Sequence, residues 1–197
     1  MSDTKTRTVA AIIFDDVEPL DLFGPVQAFK AACLQCEEDS EINLYKLFTI
    51  AKTKDPVDIG GVNILPEYSF GDIDRLEFDI LLIPGGLGTR ELVNDREFIL
   101  ALNILCEKAE IIASVCTGAG LLAKTGRLDG KRATSNKKAW AWVIEQGPNV
   151  RWDCPKRWVD LIDSDGIITS AGVSAGTDMS IALIEKLNGQ QVVKDLL

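Results

Sequence analysis

The chain has 197 residues, of which 46% are hydrophobic and 26% charged, so it is long enough to bury a sizeable core in one domain. Its net charge of −9 argues against binding to nucleic acid or to an anionic membrane surface, because both need basic patches. It has no histidine, which excludes Ser-His-Asp and Cys-His catalytic arrangements and histidine metal ligands. We therefore expect any acid–base chemistry to use carboxylates, lysine, tyrosine or cysteine.

No apolar run reaches the length of a membrane span, and the polar start "MSDTKTRTVA" lacks the apolar centre of a signal peptide. We expect a cytoplasmic protein with a single domain over residues 1–197.

Short, β-branched apolar runs alternate with helical patterns along the chain. The predicted strands are 8–14, 42–51, 78–86, 110–115 and 166–172, with a hairpin around the Gly-Gly pair in 57–70. The predicted helices are 19–36, 89–109, 117–125, 139–146 and 175–188. This order predicts βαβ units, that is, an α/β fold with a mainly parallel sheet and helices on both faces. Functional sites in such sheets gather at the carboxyl ends of the strands.

The five cysteines are an odd number, and a cytoplasmic compartment is reducing, so we predict no disulfide framework. Cys33 and Cys36 form a C-x-x-C near the end of a predicted helix, whereas a redox pair would begin one, and no second ligand pair completes a metal site. Cys106 fits the apolar pattern of a core helix, and Cys154 lies in a predicted loop.

Cys116, in "IIASVCTGAG", stands where a buried strand gives way to small residues and a helix start. A tight turn at such a point exposes the side chain, as in a nucleophile elbow. The free N–H groups and partial positive charge of the helix start favour a thiolate. The alternative is a buried structural cysteine at a strand end.

"IPGGLG" (83–88) follows another predicted strand. Gly85 and Gly86 allow close backbone approach, and their N–H groups would bind a developing anion beside the thiolate. The alternative is a plain tight turn. The stretch matches neither a dinucleotide-binding nor a phosphate-binding glycine motif.

Four carboxylates crowd the end of the first strand in "FDDVEPLDLFGP" (14–25). Asp15, Asp16 and Glu18 fit solvated turn or helix-start acids. Asp21 lies in the apolar patch "PLDLFGP" and is the residue most suited to burial. A buried carboxyl beside a thiol retains its proton and serves as general acid and then base.

The chain resembles the DJ-1/PfpI superfamily over nearly its whole length. The matching stretches are "FDDVEPLDLFGPVQAF", "FDILLIPGGLGTREL", "IIASVCTGAGLLAKTGRLDGKRAT" and "GIITSAGVSAGTDMSIALIEKL". Within it, V-x-x-L-D-x-x-G-P and S-V-C-T-G look most like the isocyanide hydratases and related ThiJ/PfpI proteins. The DJ-1 branch and the PfpI proteases usually have glutamate where Asp21 stands.

The resemblance implies a flavodoxin-like three-layer sandwich with a cysteine nucleophile elbow, and commonly a homodimer. It implies Cys116 as nucleophile, Asp21 as its acidic partner and Thr117 as the residue that follows the nucleophile. Three further residues, Gly85, Gly86 and Leu87, would line the anion pocket.

Two further positions are implied in the segment "AGVSAGTD". Val173 would lie on the helix segment packed near the cysteine. Asp178 matches an acidic position in the last helix, for which we expect a capping or structural role.

One stretch departs from the family pattern. The family usually carries a histidine in a T-T-H-W stretch, whereas this chain has "RATSNKKAW", with Asn136 and Lys137 near that position. PfpI-type proteolysis and many glyoxalase-like activities rely on that histidine, and isocyanide hydration needs it less.

The resulting hypothesis is hydration of a small-molecule isocyanide to an N-formamide, with no metal or cofactor. Alternatives are a cofactor-free glyoxalase, deglycase or amidase using the same thiol, or a non-enzymatic cysteine oxidation sensor of a stress response.

Overall fold

The structure, a computed structural model, describes residues 6–36 and 40–194. Residues 1–5, part of the segment for which we predict no signal peptide, lie outside the described residues. The strands of the described chain are β1 Arg7–Ile12, β2 Cys33–Cys36, β3 Ser40–Asn43, β4 Tyr45–Ala51, β5 Val57–Asp58, β6 Asn63–Ile64, β7 Tyr68–Ser69, β8 Ile80–Ile83, β9 Ile111–Val115, β10 Arg132–Ala133, β11 Arg151–Trp152, β12 Trp158–Leu161 and β13 Ile167–Ser170. The α-helices are α1 Pro19–Ala31, α2 Thr89–Leu92, α3 Arg96–Lys108, α4 Gly118–Lys124, α5 Trp140–Gln146, α6 Ile162–Asp165, α7 Ser174–Asn188 and α8 Gln190–Lys194, and Phe70–Arg75 forms a 3₁₀-helix.

Seven strands form the central sheet in the order β12-β13-β9-β8-β1-β4-β7. Every neighbouring pair is parallel except β12 and β13, which are antiparallel. Strands β8 and β9 are buried along their whole length, which requires cover on both faces of the sheet. Helix α1 packs on α7, and α4 packs on α2, α3 and α5. The predicted α/β class with a mainly parallel sheet is confirmed, and the fold is a flavodoxin-like three-layer sandwich.

The register of the central strands brings three chain segments together at one edge. Ile83 of β8 pairs with Ser114, and Ser170 of β13 pairs with Val115. Because these strands are parallel, the residues that follow them leave the sheet side by side at its carboxyl edge. The glycine turn after Ile83, the cysteine after Val115 and the glycine-containing loop after Ser170 therefore meet at one place.

The first predicted helix is too long. It ends at Ala31, because Ala32 adopts an extended conformation and Cys33–Cys36 pairs antiparallel with Ser40–Asn43. The C-x-x-C therefore lies on a strand and not near a helix end.

Two other predicted elements are interrupted. The strand predicted over 42–51 divides at Leu44 into β3 and β4. The helix predicted over 89–109 divides into α2 and α3, because Asp95 accepts a hydrogen bond from the Phe98 N–H (3.1 Å) and caps a new helix.

The predicted Gly-Gly hairpin exists over its first half only. β5 and β6 pair antiparallel on either side of Gly60 and Gly61. Tyr68–Ser69 instead joins the edge of the main sheet beside β4. In the described ranges, no helix has the length and apolar character that crossing a bilayer demands.

Candidate active site

Cys116 occupies a strained turn between β9 and α4. Its φ of +58° lies in the left-handed region, which a non-glycine residue adopts at a cost of roughly 1–3 kcal/mol. Two hydrogen bonds hold this conformation: the Cys116 N–H donates to the Ser170 carbonyl (3.0 Å), and the Ser135 hydroxyl donates to the Cys116 carbonyl (2.5 Å). The tight elbow expected from the sequence is therefore present, and its backbone is fixed from two sides.

Asp21, in the first turn of α1, is fully buried beside the elbow. Its Oδ1 accepts a hydrogen bond from the Val173 backbone N–H over 2.7 Å. Its Oδ2 is buried and has no hydrogen-bond partner among the described residues. A Cβ on Gly85 would lie 2.8 Å from Oδ2 and 2.6 Å from the Thr117 nitrogen. The carboxyl therefore reaches the elbow because position 85 carries no side chain.

The environment of Asp21 favours its protonated form. Burial raises its pKa above the ordinary value of 3.8, and the nearby Glu18 carboxylate raises it further. The Val173 N–H, the Cys116 thiol and the Gly85 N–H oppose this and lower the pKa, but burial dominates.

Cys116 is 6% exposed, so the tight turn does not expose its side chain as we expected from the sequence. Burial, followed by the negative charge of Asp21, raises the pKa of this thiol from 9.0 to about 12. The N–H groups of Asn136 and Thr117 lower it by smaller amounts. The helix start favours the thiolate as predicted, because the Thr117 N–H lowers the thiol pKa, but burial and the negative charge of Asp21 outweigh this effect.

Asn136 is the residue that sequence reasoning did not assign to the site. Its Nδ2 donates to the Cys116 sulfur over 3.0 Å. Its Oδ1 accepts from the backbone N–H groups of Lys138 (2.8 Å) and Ala139 (3.3 Å), which fixes the amide with its NH₂ toward the thiol. The signal was an asparagine close before a helix start, near the position where the family pattern has histidine.

Lys137, the other residue near that position, does not contact the thiol. Its ammonium donates to the Thr134 hydroxyl and the Lys156 carbonyl, each over 2.8 Å.

The glycine turn after β8 is tied to Thr117. The Gly86 N–H donates to the Thr117 hydroxyl oxygen over 2.9 Å, and that hydroxyl lies 3.2 Å from the Gly86 carbonyl. The Gly85 N–H faces the Asp21 carboxylate and lowers its pKa. Both N–H groups that we predicted to bind a developing anion are thus directed at neighbouring residues in this structure.

Leu87 is a predicted site residue whose side chain the structure does not bring to the thiol. It is 74% exposed. It borders a cavity of about 470 Å³ that also includes Phe14, Lys52 and Arg90, whereas Cys116, Asp21 and Thr117 do not line it.

Gly172 and Val173 close the site from the side of β13. Gly172 has a φ of +113°, and a Cβ there would lie 2.9 Å from the Cys116 sulfur. Val173 also has a positive φ, +48°, and this turn aims its N–H at Asp21. Asn136, Gly172 and Val173 border a second cavity, of about 360 Å³.

The other singled-out side chains lie elsewhere. Asp178 forms an ion pair with Arg157, in keeping with a structural role. Cys106 is buried in α3, and Cys154 is exposed. In residues 6–36 and 40–194, no three Cys, Asp or Glu side chains are grouped to hold a metal ion.

Comparison with known proteins shows which family has this sequence and fold. The model of the DJ-1/PfpI family matches residues 7–186. An isonitrile hydratase of Pseudomonas putida is 27% identical over 182 residues, covering 92% of this chain and 72% of the relative. A glutathione-independent glyoxalase of Caenorhabditis elegans is 26% identical over 137 residues, covering 70% of each chain.

One solved structure is similar to this chain in both fold and sequence. The crystal structure of a ThiJ/PfpI family protein from Pseudomonas syringae matches with a TM-score of 0.79 and 27% identity, over 95% of this chain and 72% of the other. The family model, the relatives and the fold agree over most of the sequence: this chain belongs to the DJ-1/PfpI family.

Proposed function

We propose that this protein is a cofactor-independent hydratase that converts isocyanides to N-formamides, with Cys116 as nucleophile and Asp21 as acid and base. The observation that carries the proposal is the buried thiol–carboxyl pair. The negative charge of Asp21 raises the pKa of the Cys116 thiol, the thiol lowers the pKa of Asp21, and both residues are buried. The similarity to a protein named isonitrile hydratase supports the same reaction.

The first step moves the thiol proton to Asp21. The two groups titrate as a coupled pair, in which the charge of the Asp21 carboxylate raises the thiol pKa and the raised pKa of Asp21 makes it a better acceptor for the thiol proton than an ordinary aspartate. The Asn136 N–H, 3.0 Å from sulfur, stabilises the thiolate that results.

The thiolate sulfur then attacks the terminal isocyanide carbon, forming a C–S bond and leaving an electron pair on that carbon. Asp21 donates its proton to the carbon, which gives a thioimidate, R–N=CH–S–Cys116. The carboxylate next removes a proton from water as the water oxygen adds to the same carbon. Asp21 then gives this proton to the nitrogen, and cleavage of the C–S bond, with transfer of the hydroxyl proton to the Asp21 carboxylate, releases R–NH–CHO and the thiolate, so that the sum is isocyanide plus water to formamide.

The remaining site residues hold this pair in place. The Val173 N–H fixes the carboxyl through Oδ1 and leaves Oδ2 facing the elbow. Thr117 ties the Gly86 turn to the helix that follows the nucleophile. Gly85 and Gly86 provide the close backbone approach, and opening of the Thr117 bond on substrate binding would free the Gly86 N–H for the polarised intermediate.

Turnover of an uncharged alkyl isocyanide by the wild type and by Cys116→Ser tests the proposal. We expect formamide from the wild type and none from the variant, measured by mass spectrometry. Formamide from neither protein, with both folded by circular dichroism, would contradict it.

A second candidate is a cofactor-free glyoxalase acting on 2-oxoaldehydes through the same thiol, which the similarity to a glyoxalase favours. Glyoxalase chemistry moves a proton between two adjacent carbons of the substrate. The Asn136 side chain that contacts the thiol is a carboxamide and cannot carry that proton. Side-by-side turnover of methylglyoxal and an isocyanide separates the two candidates.

We further propose that the protein acts as a cytoplasmic homodimer. Leu20 and Phe23, on either side of Asp21 along α1, are 55% and 43% exposed, which is unusual for large apolar side chains on one short helix segment. Sedimentation of the wild type and of Leu20→Glu/Phe23→Glu would show a dimer that the double variant weakens.

A further inference from the structure

We propose that the pocket behind the thiol selects substrates carrying an anionic group, such as a carboxylate. The inference rests on the proposed function for the reaction itself, and extends it to the substrate class. It starts from the cavity of about 360 Å³ bordered by Asn136, Gly172 and Val173. Asn136 contacts the Cys116 sulfur, and Gly172 packs so closely on Cys116 that an added Cβ would lie 2.9 Å from the sulfur, so this cavity is one residue layer from the reacting atom.

The border of this cavity is basic in a chain that is acidic overall. Its charged residues are all cations, namely Lys137, Lys138, Lys156 and Arg157. The chain as a whole carries a net charge of −9. A local excess of cations against that background attracts anions to the cavity and repels cations from it.

Two of these cations are available to a ligand. Lys138 and Lys156 are exposed, and neither forms an ion pair with a described residue. Arg157 is paired with Asp178, and the Lys137 ammonium is bound to protein oxygens. Lys138 and Lys156 are therefore the side chains that would meet a substrate anion.

The other cavity offers a contrast. Four carboxylates border it, Asp15, Asp16, Asp55 and Glu91, against two cations: Lys52, which is bound to Asp95 and Glu97, and Arg90, which stacks on the Trp142 ring. Anion selection is thus a property of the cavity that adjoins the thiol and not of this surface in general.

Hydrogen bonds to backbone groups connect the segments of Lys138 and Lys156 to that of Asn136. Asn136 uses its Oδ1 to bind the Lys138 N–H, so the residue that touches sulfur also fixes the start of the Lys138 side chain. The Lys156 carbonyl accepts from Lys137, which fastens the segment of Lys156 to that of Asn136. An anionic group held between these lysines would lie beside the Asn136 amide, with the rest of the substrate directed at Cys116.

The test compares isocyanoacetate, which carries a carboxylate, with uncharged isocyanoacetamide. We expect the wild type to prefer the anion, and Lys138→Gln/Lys156→Gln to lower kcat/KM for the anion roughly three- to tenfold through KM, as for two exposed charge contacts. Turnover of the neutral compound should stay the same. The preference should also shrink when NaCl rises from about 20 mM to about 500 mM.

Lys46→Gln/Lys124→Gln is the matched control, since it removes the same charge at exposed positions outside the cavity border. An equal loss of anion preference in this control would show a general charge effect and overturn the proposal. Equal turnover of both isocyanides by the wild type would also overturn it while leaving the hydratase proposal intact.

A second readout does not depend on isocyanide chemistry. The rates at which iodoacetate and iodoacetamide alkylate Cys116 are measured by peptide mass spectrometry. The ratio of the iodoacetate rate to the iodoacetamide rate is then compared with the same ratio for mercaptoethanol, a small thiol without a binding site. A ratio that favours iodoacetate and falls in Lys138→Gln/Lys156→Gln supports anion selection even if no isocyanide turns over. A ratio no different from that of mercaptoethanol contradicts anion selection, whatever the fate of the hydratase proposal.

Discussion

The side-chain amide of Asn136 donates a hydrogen bond to the sulfur of Cys116 over 3.0 Å, across 20 residues of sequence. The same amide accepts two backbone N–H groups through its oxygen, so its orientation is set independently of the thiol. Asn136 is therefore a neutral, non-titrating donor that stabilises negative charge on the sulfur. Of the two side chains at the sulfur, Asn136 and Asp21, only Asp21 can move a proton.

Replacing that donor by an acceptor tests its role. Asn136→Asp keeps the oxygen that binds Lys138 and Ala139 but puts a negative oxygen against sulfur. We expect the thiol pKa to rise and turnover to fall roughly 10- to 100-fold, the worth of one hydrogen bond to a charged group. The pH dependence of Cys116 alkylation measures the pKa. Asn63→Asp, an exposed change on β6, is the control, and an unchanged alkylation profile in Asn136→Asp would contradict the assignment.

Removing the charge of Asp21 should have opposite effects on activity and stability. Asp21→Asn removes the acid and base, so turnover should drop roughly 10²- to 10⁴-fold. It also removes the carboxylate that raises the thiol pKa, so Cys116 should titrate lower, as the rate of its alkylation against pH would show.

The stability of Asp21→Asn should exceed that of the wild type at neutral pH by about 1 kcal/mol, because an ionised buried carboxylate is costly. The folded-state pKa of Asp21 is raised, so wild-type stability is fully present below the ordinary value of 3.8 and is lost as pH rises toward the folded value. The advantage of the variant should therefore vanish near pH 3. Urea unfolding at several pH values measures this, with Asp74→Asn, an exposed change, as control; a variant less stable than wild type at pH 7 would refute the expectation.

Gly172→Ala should damage the site beyond the cost of its backbone conformation. The added Cβ would lie 2.7 Å from the Cβ of Cys116 and 2.9 Å from its sulfur. Gly126→Ala is the matched control, because Gly126 also has a positive φ (+78°) but open space around it. We expect both to lose roughly 1–3 kcal/mol of stability from backbone strain, with the larger loss in Gly172→Ala. Thiol alkylation should change in Gly172→Ala alone, and identical behaviour of the two variants would contradict the packing described.

Alkaline pH should destabilise the protein partly through Cys116. Its folded pKa of about 12 exceeds the ordinary 9.0, so the stabilisation is complete below pH 9 and is lost as pH rises toward 12. The loss from this thiol is roughly 1.4 kcal/mol per pH unit over that interval. Cys116→Ser should show a shallower loss in guanidinium unfolding between pH 8 and 10.5. The exposed-thiol variant Cys154→Ser should follow the wild type, and parallel curves for all three proteins would count against the raised pKa.

The fold class could be predicted from the sequence because strand and helix patterns alternate without ambiguity in the centre of the chain. Errors arose where local pattern and pairing disagree. The segment Cys33–Cys36 continues a helical pattern but pairs with Ser40–Asn43, and strand pairing leaves no trace in the periodicity of the sequence. Asp95 caps α3 and so divides the helix predicted over 89–109. The capping residue is present in the sequence, but it lies within a long apolar pattern that predicts one continuous helix.

The site residues differ in what made them predictable. Cys116 stands out by its place between a strand and small residues, and Asp21 by its apolar neighbours. Asn136 lies on an irregular segment, where no periodicity indicates which way a side chain points. The direction of the thiol pKa could not be predicted either, because it depends on how deeply two groups, 95 residues apart in the numbering, are buried together.

The glycines around the thiol have a consequence for how substrate range can change. At Gly85, Gly118 and Gly172, an added methyl group would collide with the carboxyl, the main chain or the sulfur itself. At these three positions the wall around the thiol and the carboxyl is therefore main chain, and a side chain added there would break the site. Variation that survives selection must fall on the next ring outward, at positions such as 138, 156 and 173. Laboratory evolution for new substrates should accordingly collect its successful substitutions in that ring and leave the glycines unchanged.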